Sequence, residues 1–125
     1  MISTKKIDAI CVNCSDEDDV LTLAVGDDNS DPKNFFIIGR FDEDDFSVDE
    51  CIGFQNESTQ YEIPSAIEYV ELNDKELVVT VNDMASNEAG AKSFHAIFKT
   101  TIDKTKIKQF LHAIFKDSST KLNIN

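Results

Sequence analysis

The sequence predicts an α+β domain: a largely antiparallel, meander-like β-sheet of about six to seven strands, with one C-terminal amphipathic helix packed on a face. Three observations lead there. Short apolar stretches with period-two alternation recur along most of the chain. Turn-forming residues (Asp, Asn, Gly, Ser, Pro) separate them. Near the end the apolar period lengthens to that of a helix, and it does so only once.

Taken in order, residues 6–13 (KIDAICVN) are rich in β-formers and predict the first strand. In residues 19–25 (DVLTLAV), Leu21, Leu23 and Val25 share one face, with Thr22 and Ala24 on the other. Residues 34–41 (NFFIIGRF) form a continuous apolar run, the pattern of a strand buried on both faces. Residues 51–55 predict a short fourth strand. Pro64 cannot donate to a ladder and argues against a strand around it. Residues 66–72 and 76–81 flank Asn73-Asp74-Lys75 as a hairpin, with Leu77, Val79 and Val81 pointing inward. Residues 82–91 predict a loop or a single helical turn. Residues 93–100 alternate again, with Phe94, Ala96 and Phe98 on one face. Asp103 then offers an N-cap, and Ile107, Phe110, Leu111, Ile114 and Phe115 fall on one stripe of a helix over residues 104–116. Residues 118–125 predict a frayed tail after a single domain spanning 1–125.

The 125 residues suit one domain that needs no disulfide or metal to hold it together. At 41% hydrophobic and 29% charged, the composition is that of a globular chain, not a disordered one. No export signal and no apolar run of membrane-spanning length is readable, and three cysteines are not a secreted disulfide framework. The expected location is the cytoplasm.

The net charge of −12 is unevenly placed. Residues 1–62 hold 16 Asp/Glu against 4 Lys/Arg, whereas residues 63–125 hold 8 of each. Such a chain repels nucleic acid and anionic membranes and attracts basic surfaces. The acidity peaks in two runs. One is Asp16, Glu17, Asp18 and Asp19; the other is Asp42, Glu43, Asp44, Asp45, Asp49 and Glu50, with Phe46 among them. If the first four strands form a meander, the two loops emerge at the same end of the sheet, while Asp27, Asp28 and Asp31 lie at the other.

Neither run meets the ligand spacing of an EF-hand, although an irregular cation site remains an alternative use of so many carboxylates. Cys11 and Cys14 form a CxxC, and with Cys51 and a histidine they would make four zinc ligands on paper. An extended segment, however, points the two thiols to opposite faces. His95 and His112 belong to no catalytic constellation, and no phosphate loop or nucleophile elbow occurs, so no enzymatic activity and no cofactor are expected. Two readings remain: a solvated acidic face whose apolar residues tack the loop to the core, or a surface built to meet a basic partner, with Phe46 as an apolar anchor amid charge.

From Asn34 to Phe115 the chain resembles the tenth family of immunity proteins from bacterial polymorphic toxin systems. The similar parts are FFIIGRFDEDD, CIGFQNESTQYEIPSAIEYVEL, NDKELVVTV, ASNEAGAK and FHAIFKTTIDKTKIKQFLHAIF, in that order. The resemblance implies a small cytoplasmic α+β protein without enzymatic activity that binds and blocks a cognate toxin domain. Combined with the acidic charge, it makes a basic toxin the expected partner, with a nuclease as one such target.

Overall fold

The computed structural model describes residues 3–125. Among them ten strands and two helices form two five-stranded sheets. In chain order these are β1 (Thr4–Ala9), β2 (Cys11–Glu17), β3 (Val20–Gly26), β4 (Phe35–Phe41), β5 (Ile52–Asn56), β6 (Ile63–Pro64), β7 (Ile67–Leu72), β8 (Glu76–Val81), α1 (Asp83–Ala89), β9 (Ser93–Phe98), α2 (Lys104–Ile114) and β10 (Lys121–Ile124). Sheet A has the order β1-β9-β8-β7-β10, and sheet B is the meander β2-β3-β4-β5-β6. All neighbours pair antiparallel except β1 with β9 and β7 with β10, which are parallel.

The α+β class stands, but the single sheet of six to seven strands becomes two sheets. The division begins at Ile10. The predicted first strand over residues 6–13 is two strands in different sheets, β1 beside β9 and β2 beside β3. Around the crossing, the Lys99 amide donates to the Ala9 carbonyl and the Ile10 amide to the Gly26 carbonyl. The core-facing set runs Ile7, Ala9, then Val12, Cys14, so the period-two phase slips by one residue at the crossing.

The tail differs too. Residues 118–125 are not frayed: β10 adds to the edge of sheet A beside β7, and Leu122 and Ile124 pack against the core. Four residues are too short a run for alternation to show. The segment over residues 82–91 is a two-turn helix, α1. Asn82 caps it by accepting from the Ala85 amide, and Gly90 ends it at φ 88°, where a side chain would be strained.

The inner faces of the sheets meet at three rings. Phe36 and Phe54 of sheet B lie 5.8 Å apart, and Phe94 of sheet A lies 6.3 and 5.0 Å from them. Helix α2 forms where the stripe predicts it. The Asp103 carboxylate accepts from the Lys106 amide, and Ile107, Leu111, Ile114 and Phe115 are buried against the inner side of β2 and β3. Burial of each such side chain stabilises by about 1.5–3 kcal/mol.

Candidate functional site

In the meander of sheet B, β2 and β3 are joined by the two-residue turn Asp18-Asp19, with Glu17 opposite Val20, and Val20 is opposite Phe41 at the end of β4. The loop over residues 42–51 leaves from that same end. Both acidic runs therefore emerge together, and the Asp27–Asp31 region lies at the far end of the sheet.

The turn itself demands left-handed backbone from two aspartates, with φ 53° at Asp18 and 65° at Asp19. Asp tolerates this region better than most residues, yet Asn-Gly fits such a turn with less strain. Local structure alone does not account for two carboxylates here.

The ten carboxylates divide by what they do. Asp42 accepts from Arg40 Nε at 2.7 Å and is itself 72% exposed. Asp49 accepts from the Ser118 hydroxyl, the Ser119 hydroxyl and the Ser119 amide, which fastens the loop to the segment following α2. The Ser118 bond, seconded by those of Ser119, holds the Asp49 carboxyl below the usual aspartate range. Glu50 accepts from the Ser47 amide at 3.0 Å, and that bond lowers its pKa. Asp16, Glu17, Asp18, Asp19, Glu43, Asp44 and Asp45 have no hydrogen-bond or ion-pair partner among the described residues, and all seven are exposed.

The far end is different. Asp27 accepts from the Lys33 and Asn34 amides and from Asn34 Nδ2, and Asp28 accepts from the Asp31 amide and the Ser30 hydroxyl. Those carboxylates shape a loop. The bond from the Asn34 side chain, with its backbone amide next, keeps Asp27 ionised below the ordinary range.

Arg40 joins the acidic end to the core. Its Nη1 donates to the carbonyls of Lys116 at 2.7 Å, Ile114 at 2.9 Å and Ala113 at 3.4 Å, which are the orphan acceptors at the C-terminal end of α2. The one arginine of the chain is thus a helix cap on the inner face of β4.

The expectation that residues 34–41 are buried on both faces is corrected. Phe36 and Ile38 are fully buried, but Phe35 and Ile37 are only partly covered and Phe41 is 46% exposed. Among the described residues, no helix or strand other than its neighbours β3 and β5 packs substantially on β4. The outer face of sheet B is therefore open. Beginning at the acidic end, its rows are Glu17, Val20 and Phe41; then Thr22, Gly39 and Gly53; then Ala24, Ile37 and Gln55. Phe46, 51% exposed, shares a hollow of about 290 Å³ with Phe41, Glu43 and Glu62 at the corner of this face. The sequence signalled this surface in NFFIIGRF, which has too many apolar residues for a strand with one solvated face. Gly39, Gly53 and Glu62 carried no signal by themselves.

Other candidates separate. Cys11 and Cys14 are free and lie in β2, where Cys14 faces the core and burial raises its thiol pKa. His95 Nδ1 is 3.5 Å from Glu76, and His112 is exposed on α2. Among the described residues, no three His, Cys, Asp or Glu side chains come together as a metal cage. No described helix is long and apolar enough to cross a membrane.

The chain matches no protein-family model and no curated protein.

Proposed function

We propose that this protein is an immunity protein that neutralises a toxin: a non-enzymatic cytoplasmic domain that binds a basic toxin domain through the acidic end of sheet B and protects the cell that makes it. The observation that carries this is the convergence of two acidic loops, most of their carboxylates unpartnered, around an open apolar sheet face. Concentrated like charge costs stability by self-repulsion, and an open apolar face costs solubility. A basic partner with an apolar centre offsets both. The resemblance of the sequence from Asn34 to Phe115 to the tenth immunity family points the same way. A specific interface buries roughly 800 Å² on each partner, more than one loop offers. The turn at residues 18–19, the loop at residues 42–50 and the face between them would therefore contribute together.

On this proposal Asp16, Glu17, Asp18, Asp19, Glu43, Asp44 and Asp45 steer and pair, and Phe41 and Phe46 anchor. Asp49 and Glu50 hold the loop in shape, and Asp42, paired with Arg40 yet mostly exposed, belongs to the charged surface. A toxin that degrades nucleic acid presents a basic cleft, which the acidic end would fill or flank in place of phosphates.

The test is a calorimetric and kinetic titration against the C-terminal toxin domain encoded immediately upstream, at low and at high salt. Tight one-to-one binding is expected. The association rate should fall as the Debye length shrinks from about 8 Å at physiological salt to about 3 Å at 1 M. A variant carrying D42N, E43Q, D44N and D45N should associate about tenfold more slowly with its fold intact. Equal association by that variant would reduce the loop to a solvated surface, and no binding to a folded upstream domain would remove the toxin assignment.

A further inference from the structure

The geometry points to an arginine-receiving site on the open face of sheet B: Glu62, laid over Gly53 and beside Gly39, takes the guanidinium of a partner arginine between Phe41 and Phe46. This deepens the proposed function and rests on its assignment of this face to a basic partner.

Gly39 and Gly53 are directly opposite each other in the middle of a sheet. Glycine weakens a strand interior, and a facing pair does so twice. Neither has positive φ, so the turn chemistry that usually justifies glycine does not apply. What the pair provides is a trough one side chain deep. A Cβ on Gly53 would overlap the Cγ and carboxyl of Glu62, and one on Gly39 would come within 3.5 Å of Glu62 Oε1. The glutamate lies where two side chains are missing.

Its carboxylate has no company there. Among the described residues, no N–H or O–H donates to Glu62 and no cation pairs with it. Arg40 borders the same region, but its Nε donates to Asp42 and its Nη1 to α2 carbonyls, and it makes no ion pair with Glu62. Although Glu62 remains open to solvent, crowding around its carboxyl raises the pKa, and no donor offsets that loss of hydration. A cation arriving from outside would supply what is absent.

Two hollows flank Glu62 and both are walled by Phe41; Phe46 closes one of them. A flat guanidinium stacks on such rings while it pairs two N–H groups with a carboxylate, which a lysine ammonium does not match. In the hollow that Phe46 closes the surrounding charge is of the complementary sign, with Glu43 and Glu50 in its lining.

The test has two arms. In the first, the ¹⁵N-labelled protein is titrated with N-acetylarginine methylamide and, separately, with its neutral citrulline counterpart. Saturable shifts at Gly39, Gly53, Phe41 and Phe46 are expected with arginine alone and should vanish in Glu62→Gln, which keeps the shape of the side chain. Equal shifts from citrulline, or shifts that persist in Glu62→Gln, overturn the site. In the second arm, Glu62→Gln and Phe46→Ala should each weaken binding of the upstream toxin domain by about tenfold or more. Unchanged binding by Glu62→Gln overturns the site and leaves the toxin assignment standing. If the wild-type protein ignores that domain, the toxin assignment falls and the arginine titration alone decides the site.

Discussion

Replacing Arg40 by Met tests whether the acidic end is built on the helix beneath it. The side chain is 12% exposed and donates through Nη1 to three carbonyls of the last turn of α2 and the residues after it. One Nη carries two hydrogens, so the two shorter bonds, 2.7 Å to Lys116 and 2.9 Å to Ile114, account for most of the energy. Hydrogen bonds from a charged donor contribute about 1.5–3 kcal/mol each, and a cation at a helix C-terminus contributes within the same energy. Water reaches the exposed residues around Lys116 and recovers part of the loss. The ion pair with Asp42 adds little, because Asp42 is mostly exposed. The expected destabilisation is about 2–3 kcal/mol. With an unfolding entropy of roughly 2.1 cal/mol/K per residue, this amounts to a drop of about 8–11 °C in Tm for a domain of this size.

Urea denaturation followed by circular dichroism measures the loss directly. Arg40→Lys keeps the charge but not the fork and should lose about half as much. Asp42→Asn should lose no more than about 0.5 kcal/mol. A Met variant within about 0.5 kcal/mol of the parent would refute the capping role. A loss in Asp42→Asn equal to that of Arg40→Met would place the energy in the surface ion pair instead.

Asp49→Asn should destabilise the protein by about 1 kcal/mol at neutral pH, since it weakens bonds from both Ser118 and Ser119. Asp49 is held below the usual aspartate range, so its contribution is complete above the unfolded-state pKa and disappears as pH falls through the lower folded-state value. Melts below about pH 4 should therefore show the parent and the variant converging, and a constant gap at all pH values would contradict this. Changing Asp18-Asp19 to Asn-Gly should stabilise by about 1 kcal/mol, because both positions have positive φ. On the proposed function the same change slows association with the toxin domain. A destabilised variant would show that the turn depends on these carboxylates.

The sequence made most elements legible where one pattern ran long enough. The stripe from Ile107 to Phe115 specified α2 and its core-facing side, and Asp103 marked its start. The alternation in β3, β8 and β9 gave the inward residues correctly. What failed was local brevity or a change of partner. Ile10 joins two sheets through a one-residue slip of phase, which a single-strand reading absorbs. Strand β6 is two residues long and contains Pro64, and β10 is four residues at the end of the chain. Of the candidate site, the two acidic runs and their common end followed from a meander topology. The distinction between free and engaged carboxylates did not, because it depends on Ser118 and Ser119 arriving from the other end of the chain. The glycine trough was invisible for the same reason: Gly39 and Gly53 meet only through the β4–β5 register.

Strand β4 draws these threads together. Its inward residues, Phe36, Ile38 and Arg40, serve the fold: two pack in the core and the third caps α2. Its outward residues, Phe35, Ile37, Gly39 and Phe41, are only partly covered or exposed, yet they are as apolar as the inward set. The carboxylates of sheet B show the same division. At the far end Asp27 and Asp28 accept from backbone amides and nearby side chains, whereas at the near end seven carboxylates have no partner among the described residues. A surface maintained only for solubility would disperse its charge and keep polar residues on the open face. Here uncommitted charge and uncommitted apolar area occupy one end and one face of the same sheet, next to a glutamate with no donor of its own. Those are the features that the proposed basic partner, with its apolar centre, would use.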